Sequence, residues 1–173
     1  MDSDSLRSIP FLEKLTDAEL QAFAGLIETR NFKRGDRILE EGTVPTTFYV
    51  IRDGVVHVRR RANKREMLLT RLGSGSFFGE INLFDPGVAT ASIYAMKDSV
   101  IAAIPYDRFR AYMEQHPHAG YRIASAILSE LAQRMRTTSA RLANSIYRAI
   151  PAPGAPATPA ANPVPGTADS GAT

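Results

Sequence analysis

The chain has 173 residues, enough for one domain with a proper core plus an appendage. Its 44% hydrophobic and 23% charged residues are ordinary for a globular protein, and a net charge of +3 makes it only mildly basic. The absence of cysteine excludes disulfides and thiolate metal ligands, and an acidic start without any apolar run of roughly 20 residues argues against a signal peptide or membrane helix and for the cytoplasm.

Residues 8–29 are predicted helical. Pro10 suits a helix start, and Thr16-Asp17-Ala18-Glu19 has capping-box spacing ahead of Leu20, Phe23 and Ile27. From Asn31 to Arg61 the pattern turns to strands. Gly35, Gly42 and Gly54 punctuate it, and Val56, Val58 and Arg60 alternate with Val55, His57 and Arg59, which places His57 on the outward side. Arg59-Arg60-Arg61-Ala62-Asn63-Lys64-Arg65 is a basic hairpin end, read as a solvated tip rather than a nucleic-acid contact. Met67–Leu72 returns as a strand.

The next stretch, Phe77 to Ile93, reads as a strand end, a tight turn at Gly79, a short helix, a loop and a new strand. Without a Cβ, Gly79 lets the backbone approach a ligand closely, and the amides that follow open a helix whose N-terminus attracts phosphate. Glu80 stands where a carboxylate would accept hydrogen bonds from sugar hydroxyls. Strands continue to Ile104 with a turn at Asp98-Ser99. Pro105-Tyr106-Asp107 opens a helix with Asp107 as its cap and Phe109 and Met113 on its buried face, and His116-Pro117-His118 ends it.

Ala119 to about Arg148 is one long helical pattern with a stripe of Ile123, Ile127, Leu131 and Met135 continued by Leu142 and Ile146. About 30 helical residues span about 45 Å, more than one small barrel covers, which points to a coiled-coil homodimer through this helix, the alternative being a helix folded back on its own barrel with a frayed end. Residues 149–173 are rich in Pro and Ala with Asp169 as their one charge, the composition of a disordered tail.

Phe78-Gly79-Glu80 and Thr90-Ala91-Ser92-Ile93 resemble the two halves of the phosphate-binding cassette of the cyclic nucleotide-binding domain family, which includes the catabolite activator protein and the regulatory subunits of cyclic-AMP-dependent protein kinase. The family's cassette arginine aligns with Ala89, so the cation that would pair with a cyclic phosphate is missing. The resemblance covers residues 8 to about 140. It implies a mainly β fold with flanking α: a jelly-roll β-barrel over about 31–104, a helical lead-in, and C-terminal helices over about 106–148, all within one domain of residues 1–148. It implies cyclic AMP or cyclic GMP as ligand, with no cofactor.

The ligand-binding residues carried over are Thr70 at the base pocket, then Phe78, Gly79, Glu80, Ile81, Asn82, Thr90, Ala91 and Ser92 of the cassette. Thr138 and Ser139 of the long helix align with a Thr-Ser pair that touches adenine. Three outcomes follow from the missing cation: another such as Arg71, Arg122 or Arg136 substitutes, a different ligand binds, or the pocket stays empty.

The function implied is a regulatory sensor that relays occupancy through its C-terminal helix to an unknown protein partner or a dimer mate. The alternatives are a non-binding interaction module on the same fold, or a remnant of a catabolite-activator-type regulator without its DNA-binding domain. Catalysis is not expected. The only histidines are His57, His116 and His118, no Ser/His/Asp set or acid pair stands out, and no metal site is implied.

Overall fold

The computed structural model describes residues 6–62 and 65–149. The chain divides into two units, Met1–Ala132 and Gln133–Thr173. The expected disordered tail lies, apart from Ala149, outside the described residues.

In the first unit a 3₁₀ turn, Pro10–Leu12, precedes α1 (Asp17–Ala24). The capping box is formed in both directions: the Thr16 amide donates to Glu19 Oε2 at 2.8 Å, and the Glu19 amide donates to Thr16 Oγ1 at 3.4 Å. The helix stops well short of Thr29. Glu28–Phe32 is instead strand β1, whose residues alternate between half-buried and exposed and which pairs in register with Ser99–Ala103. Its polar Thr29, Arg30 and Asn31 hide a period of two that only the neighbouring strand makes favourable.

Seven further strands follow: β2 (Arg37–Leu39), β3 (Thr47–Asp53), β4 (Val55–Ala62), β5 (Arg65–Gly73), β6 (Phe77–Phe78), β7 (Ser92–Ala95) and β8 (Ser99–Pro105). They form two antiparallel four-stranded sheets, ordered β1-β8-β3-β6 and β2-β7-β4-β5. The fold is mainly β, a jelly-roll barrel with flanking helices and a long C-terminal helix. Gly35, Gly42 and Gly54 turn the chain at φ of +94°, +82° and +126°. Short helix α2 (Glu80–Phe84) lies between β6 and β7, and α3 (Tyr106–Gln115) and α4 (Pro117–Ala149) follow the barrel.

The central strands β3 and β8 are buried on both faces, so they read as continuous apolar runs rather than alternations. Phe48, Val50, Ala102 and Ile104 face the helices and pack with Phe11, Phe23, Phe109, Tyr112, Ile123 and Ile127. Tyr49, Ile51, Ile101 and Ala103 face the barrel interior with Val56, Phe78 and Ile93. Phe48 meets Phe11, Phe77 and Phe109 at centroid distances of 5.5, 5.6 and 5.2 Å, so one aromatic cluster ties the lead-in, the sheet and α3 together.

Two local readings change. Asp107 is not the cap of α3. Pro105 holds the N-cap position without a side-chain hydrogen bond, and Asp107 lies in the first turn, where a carboxylate still favours the helix dipole. His57 is on the outer face, as its alternation with Val56 and Val58 requires, yet it is buried. Its register partners are Tyr94 and Arg71, and Arg59 sits over the Tyr94 ring, so long neighbours roof it. Burial, then the Arg71 and Arg59 charges, hold its imidazole below the usual value and keep it neutral.

The hairpin tip is laced with ion pairs, Arg59 to Glu66 at 3.3 Å and Arg60 to Glu41 at 3.8 Å. Asn63 and Lys64 lie outside the described residues.

The lead-in is fastened to the later helices through Glu19. Tyr112 donates its hydroxyl proton to the Glu19 carbonyl at 2.9 Å, and Arg122 of α4 meets the Glu19 carboxylate at 3.2 Å. The hydrogen bond from the Thr16 amide, ahead of the Arg122 charge, holds this carboxyl below its usual value of 4.5. A depressed carboxylate stabilises the fold above its unfolded pKa and ceases to do so as pH falls through the folded one. Melting curves recorded from about pH 6 to about pH 3 should therefore fall more steeply for the wild type than for Glu19→Gln. Parallel curves would mean that the pair contributes nothing to this docking.

Candidate functional site

The corner between β6 and β7 is set by one residue in a left-handed conformation. Gly79, at φ +82°, caps α2, and a Cβ there would lie 2.8 Å from the Thr47 carbonyl oxygen and 3.3 Å from the Tyr106 hydroxyl. The close approach that demands glycine is thus to the protein's own β3 and α3. The sequence alone assigns this need for glycine to a ligand; the contacts found at Gly79 are with the protein itself. Tyr106 donates to the Gly79 carbonyl at 2.6 Å.

Glu80 follows and is buried, at 7% exposure, although it is charged and part of the first turn of a helix. Burial first, and then the charge of Glu80, push the Tyr106 hydroxyl far above the ordinary phenol value. Phe78 stacks on Tyr49 at 4.9 Å inside the barrel, so what it can present to a ligand is backbone.

Ile81 is half exposed, and Asn82 is buried with its amide donating to the Gly87 carbonyl at 2.8 Å and the Val88 carbonyl at 3.4 Å. Asn82 therefore holds the cassette loop closed, a role a spacing argument could not supply.

At the other end of that loop, Ala89 is 3% exposed. Its amide donates to the Thr43 carbonyl and its carbonyl accepts from the Gly42 amide, both at 2.8 Å. Thr90 is exposed, Ala91 is buried, and the buried Ser92 accepts from the Glu41 amide at 3.0 Å. Thr70, half-buried on β5, pairs with Val58 across a bulge in the β4–β5 ribbon. Glu80, Ala89 and Ala91 are each buried.

Of the three candidate substitutes for the cassette cation, Arg122 is engaged elsewhere. Arg122 pairs with Glu19, and Arg71 stands opposite His57 on the outer face. Arg136, Thr138 and Ser139 belong to the second unit, where all three are exposed. The described part of that unit, residues 133–149, is helical throughout.

A residue the sequence reading overlooked completes the corner. Arg110 of α3 donates from Nε and Nη2 to the Leu83 carbonyl at 3.1 and 2.7 Å, and from Nη2 to the Asn82 carbonyl at 3.3 Å. The four-residue spacing of Tyr106 and Arg110 on one helix, one turn apart, was the available signal. Behind α2 lies an open cleft of about 580 Å³ bordered by Arg30, Thr46, Thr47, Asn82, Tyr106 and Arg110. Among the described residues no group of three or more His, Cys, Asp or Glu could hold a metal ion, and no helix is long and apolar enough to cross a membrane.

Known proteins share this architecture. Residues 29–116, half of the chain, match the model of the cyclic nucleotide-binding domain. A CRP-like cAMP-activated global transcriptional regulator of Mycobacterium tuberculosis is 32% identical over 133 residues, which are 76% of this chain and 58% of that protein. The chain therefore spans little more than half the length of that relative. The catabolite activator protein of Thermus thermophilus superposes with a TM-score of 0.68 at 25% identity, over 80% of this chain and 63% of the other. A cyclic nucleotide-binding domain from Methylobacillus flagellatus gives a TM-score of 0.76 at 20% identity, over 83% and 85% of the two chains, a likeness of fold alone. With that match running from β1 to the end of α3, the chain belongs to the cyclic nucleotide-binding domain family.

Proposed function

We propose that the chain is a regulatory sensor. Its cassette takes the sugar and phosphate of a cyclic nucleotide, and the helices after the barrel carry the consequence to a partner or a second copy. The observation that carries this reading is Glu80, a carboxylate kept inside the barrel corner at 7% exposure directly after the left-handed Gly79. A carboxylate at this corner is an acceptor of the kind that the paired hydroxyls of a sugar donate to. Thr70, the α2 amides of Glu80, Ile81 and Asn82, and Thr90, Ala91 and Ser92 would frame the rest of the ligand, with Phe78 behind them. Occupancy would act by favouring one arrangement of the later helices over another.

The long helix supports association with a second copy. Its exposed apolar residues, Tyr121, Leu128, Met135 and Leu142, recur every seven positions, the period of a left-handed supercoil. The stripe read from sequence differs. Ile123 and Ile127 are fully buried in the first unit, whereas Met135 is 73% exposed.

Ala89 favours the second reading, a non-binding interaction module, because the position that should hold an arginine is small and enclosed. Thermal melting separates the two. Cyclic AMP at about 100 times its Kd should stabilise a binding domain by about 2.7 kcal/mol, roughly 10 °C at this size. Glu80→Gln, which keeps the shape, should weaken that binding by about tenfold or more. A melting temperature indifferent to cyclic AMP and cyclic GMP would leave only the scaffold.

A further inference from the structure

Helix α3 grips the cassette at both ends. At the front, the Tyr106 hydroxyl reaches the carbonyl of Gly79, the residue that caps α2. At the back, one turn further along α3, the Arg110 guanidinium takes the Asn82 and Leu83 carbonyls with three hydrogen bonds of 2.7 to 3.3 Å. The same guanidinium lies 5.7 Å from the Tyr106 ring centroid, so the two grips support one another.

Five residues cannot sustain a helix alone, and the last carbonyls of any helix lack internal partners. The Ile81 carbonyl is taken by the Asp85 amide at 2.7 Å, and Arg110 supplies the next two with charge-assisted bonds at the negative end of the helix dipole.

We propose that Arg110 is the positioning residue that makes α2 and α3 one mechanical body, so that displacement of the cassette is delivered to α3 through its guanidinium. As a statement about regulation this rests on the sensor reading above; the mechanical coupling itself exists with or without a ligand. The geometry is directional. Arg110 holds only backbone carbonyls, so it is indifferent to the side chains of Asn82 and Leu83 and sensitive to where the α2 backbone goes.

Hydrogen–deuterium exchange on the full chain tests it in two arms. Without ligand, Arg110→Met keeps the apolar stem and removes every donor. Exchange of the Asp85 amide within the 77–92 segment should rise about tenfold or more, while the 106–116 segment keeps its protection. Arg110→Lys, with one compact charge, should fall between. Unchanged exchange at Asp85 in Arg110→Met overturns the proposal. If Arg110→Met fails to fold, Arg110→Lys decides in its place by the same rise or its absence.

With saturating cyclic AMP, the wild type should gain protection in both segments and Arg110→Met in 77–92 alone. Equal gains in both segments of the variant also overturn the proposal. A wild type that does not bind cyclic AMP overturns the sensor reading, and the ligand-free arm still decides the coupling.

Discussion

Gly79→Ala is expected to lower the melting temperature by about 10 °C or more and to remove any ligand response. Two costs add at this position. A left-handed conformation costs a residue with a Cβ roughly 1–2 kcal/mol. The new Cβ would also stand 2.8 Å from the Thr47 carbonyl oxygen, a backbone atom that cannot swing away, at a further cost of about 1–3 kcal/mol. At this chain size each kcal/mol moves the midpoint by about 4 °C.

Two other glycines dissect the sum. Gly35 has φ +94° with nothing within 4 Å of an added Cβ, so Gly35→Ala reports the backbone cost alone. At Gly87 an added Cβ would meet only the Asn82 amide at 3.9 Å, and Gly87→Ala should be close to neutral. The expected order of destabilisation is Gly79, then Gly35, then Gly87. If Gly79→Ala melts like Gly35→Ala, the corner is softer than its contacts indicate.

Restoring the missing cation has the largest expected effect on binding. Ala89→Arg should tighten cyclic AMP by about one to two decades, the worth of one charge-assisted hydrogen bond of roughly 1.5–3 kcal/mol. The backbone at Ala89 is already fixed by Thr43 and Gly42, so the substitution asks only for side-chain room. That room decides the outcome, because Ala89 is almost wholly enclosed. Calorimetry on the variant reads affinity, and melting without ligand reads strain. A tighter complex at little loss of stability places the aligned position on the ligand side of the barrel wall. A destabilised variant with unchanged affinity would mean that the Ala89 side chain points into packing, and that the pocket serves a different ligand.

Much of the barrel was visible in the sequence because its turns depend on local chemistry. Gly35, Gly42 and Gly54 stand where only glycine adopts the backbone angle easily, and the capping box at Thr16 and Glu19 is spelled in four consecutive residues. The start of strand β1 was read as helix because Glu28 and Thr29 have no strand signature apart from their partner β8. The burial of His57 was invisible because two of its neighbours, Arg71 and Tyr94, come from strands distant in sequence.

The candidate site divides along the same line. Gly79 and Glu80 were legible as a pattern, whereas Arg110 was not, since a side chain that binds backbone carbonyls leaves no mark on the residues it binds. Arg122 was offered as a phosphate ligand by its charge alone, and its engagement with Glu19 depends on a contact between residues 103 positions apart.

The two spacings on α4 carry a practical consequence. Ile123 and Ile127 insulate the fold, whereas Tyr121 and Leu128 stand in water on the same stretch of helix. If the long helix pairs with a second copy as proposed, self-association and foldedness are written in different letters, and polar replacement of the outward set should erase the first while leaving the second intact.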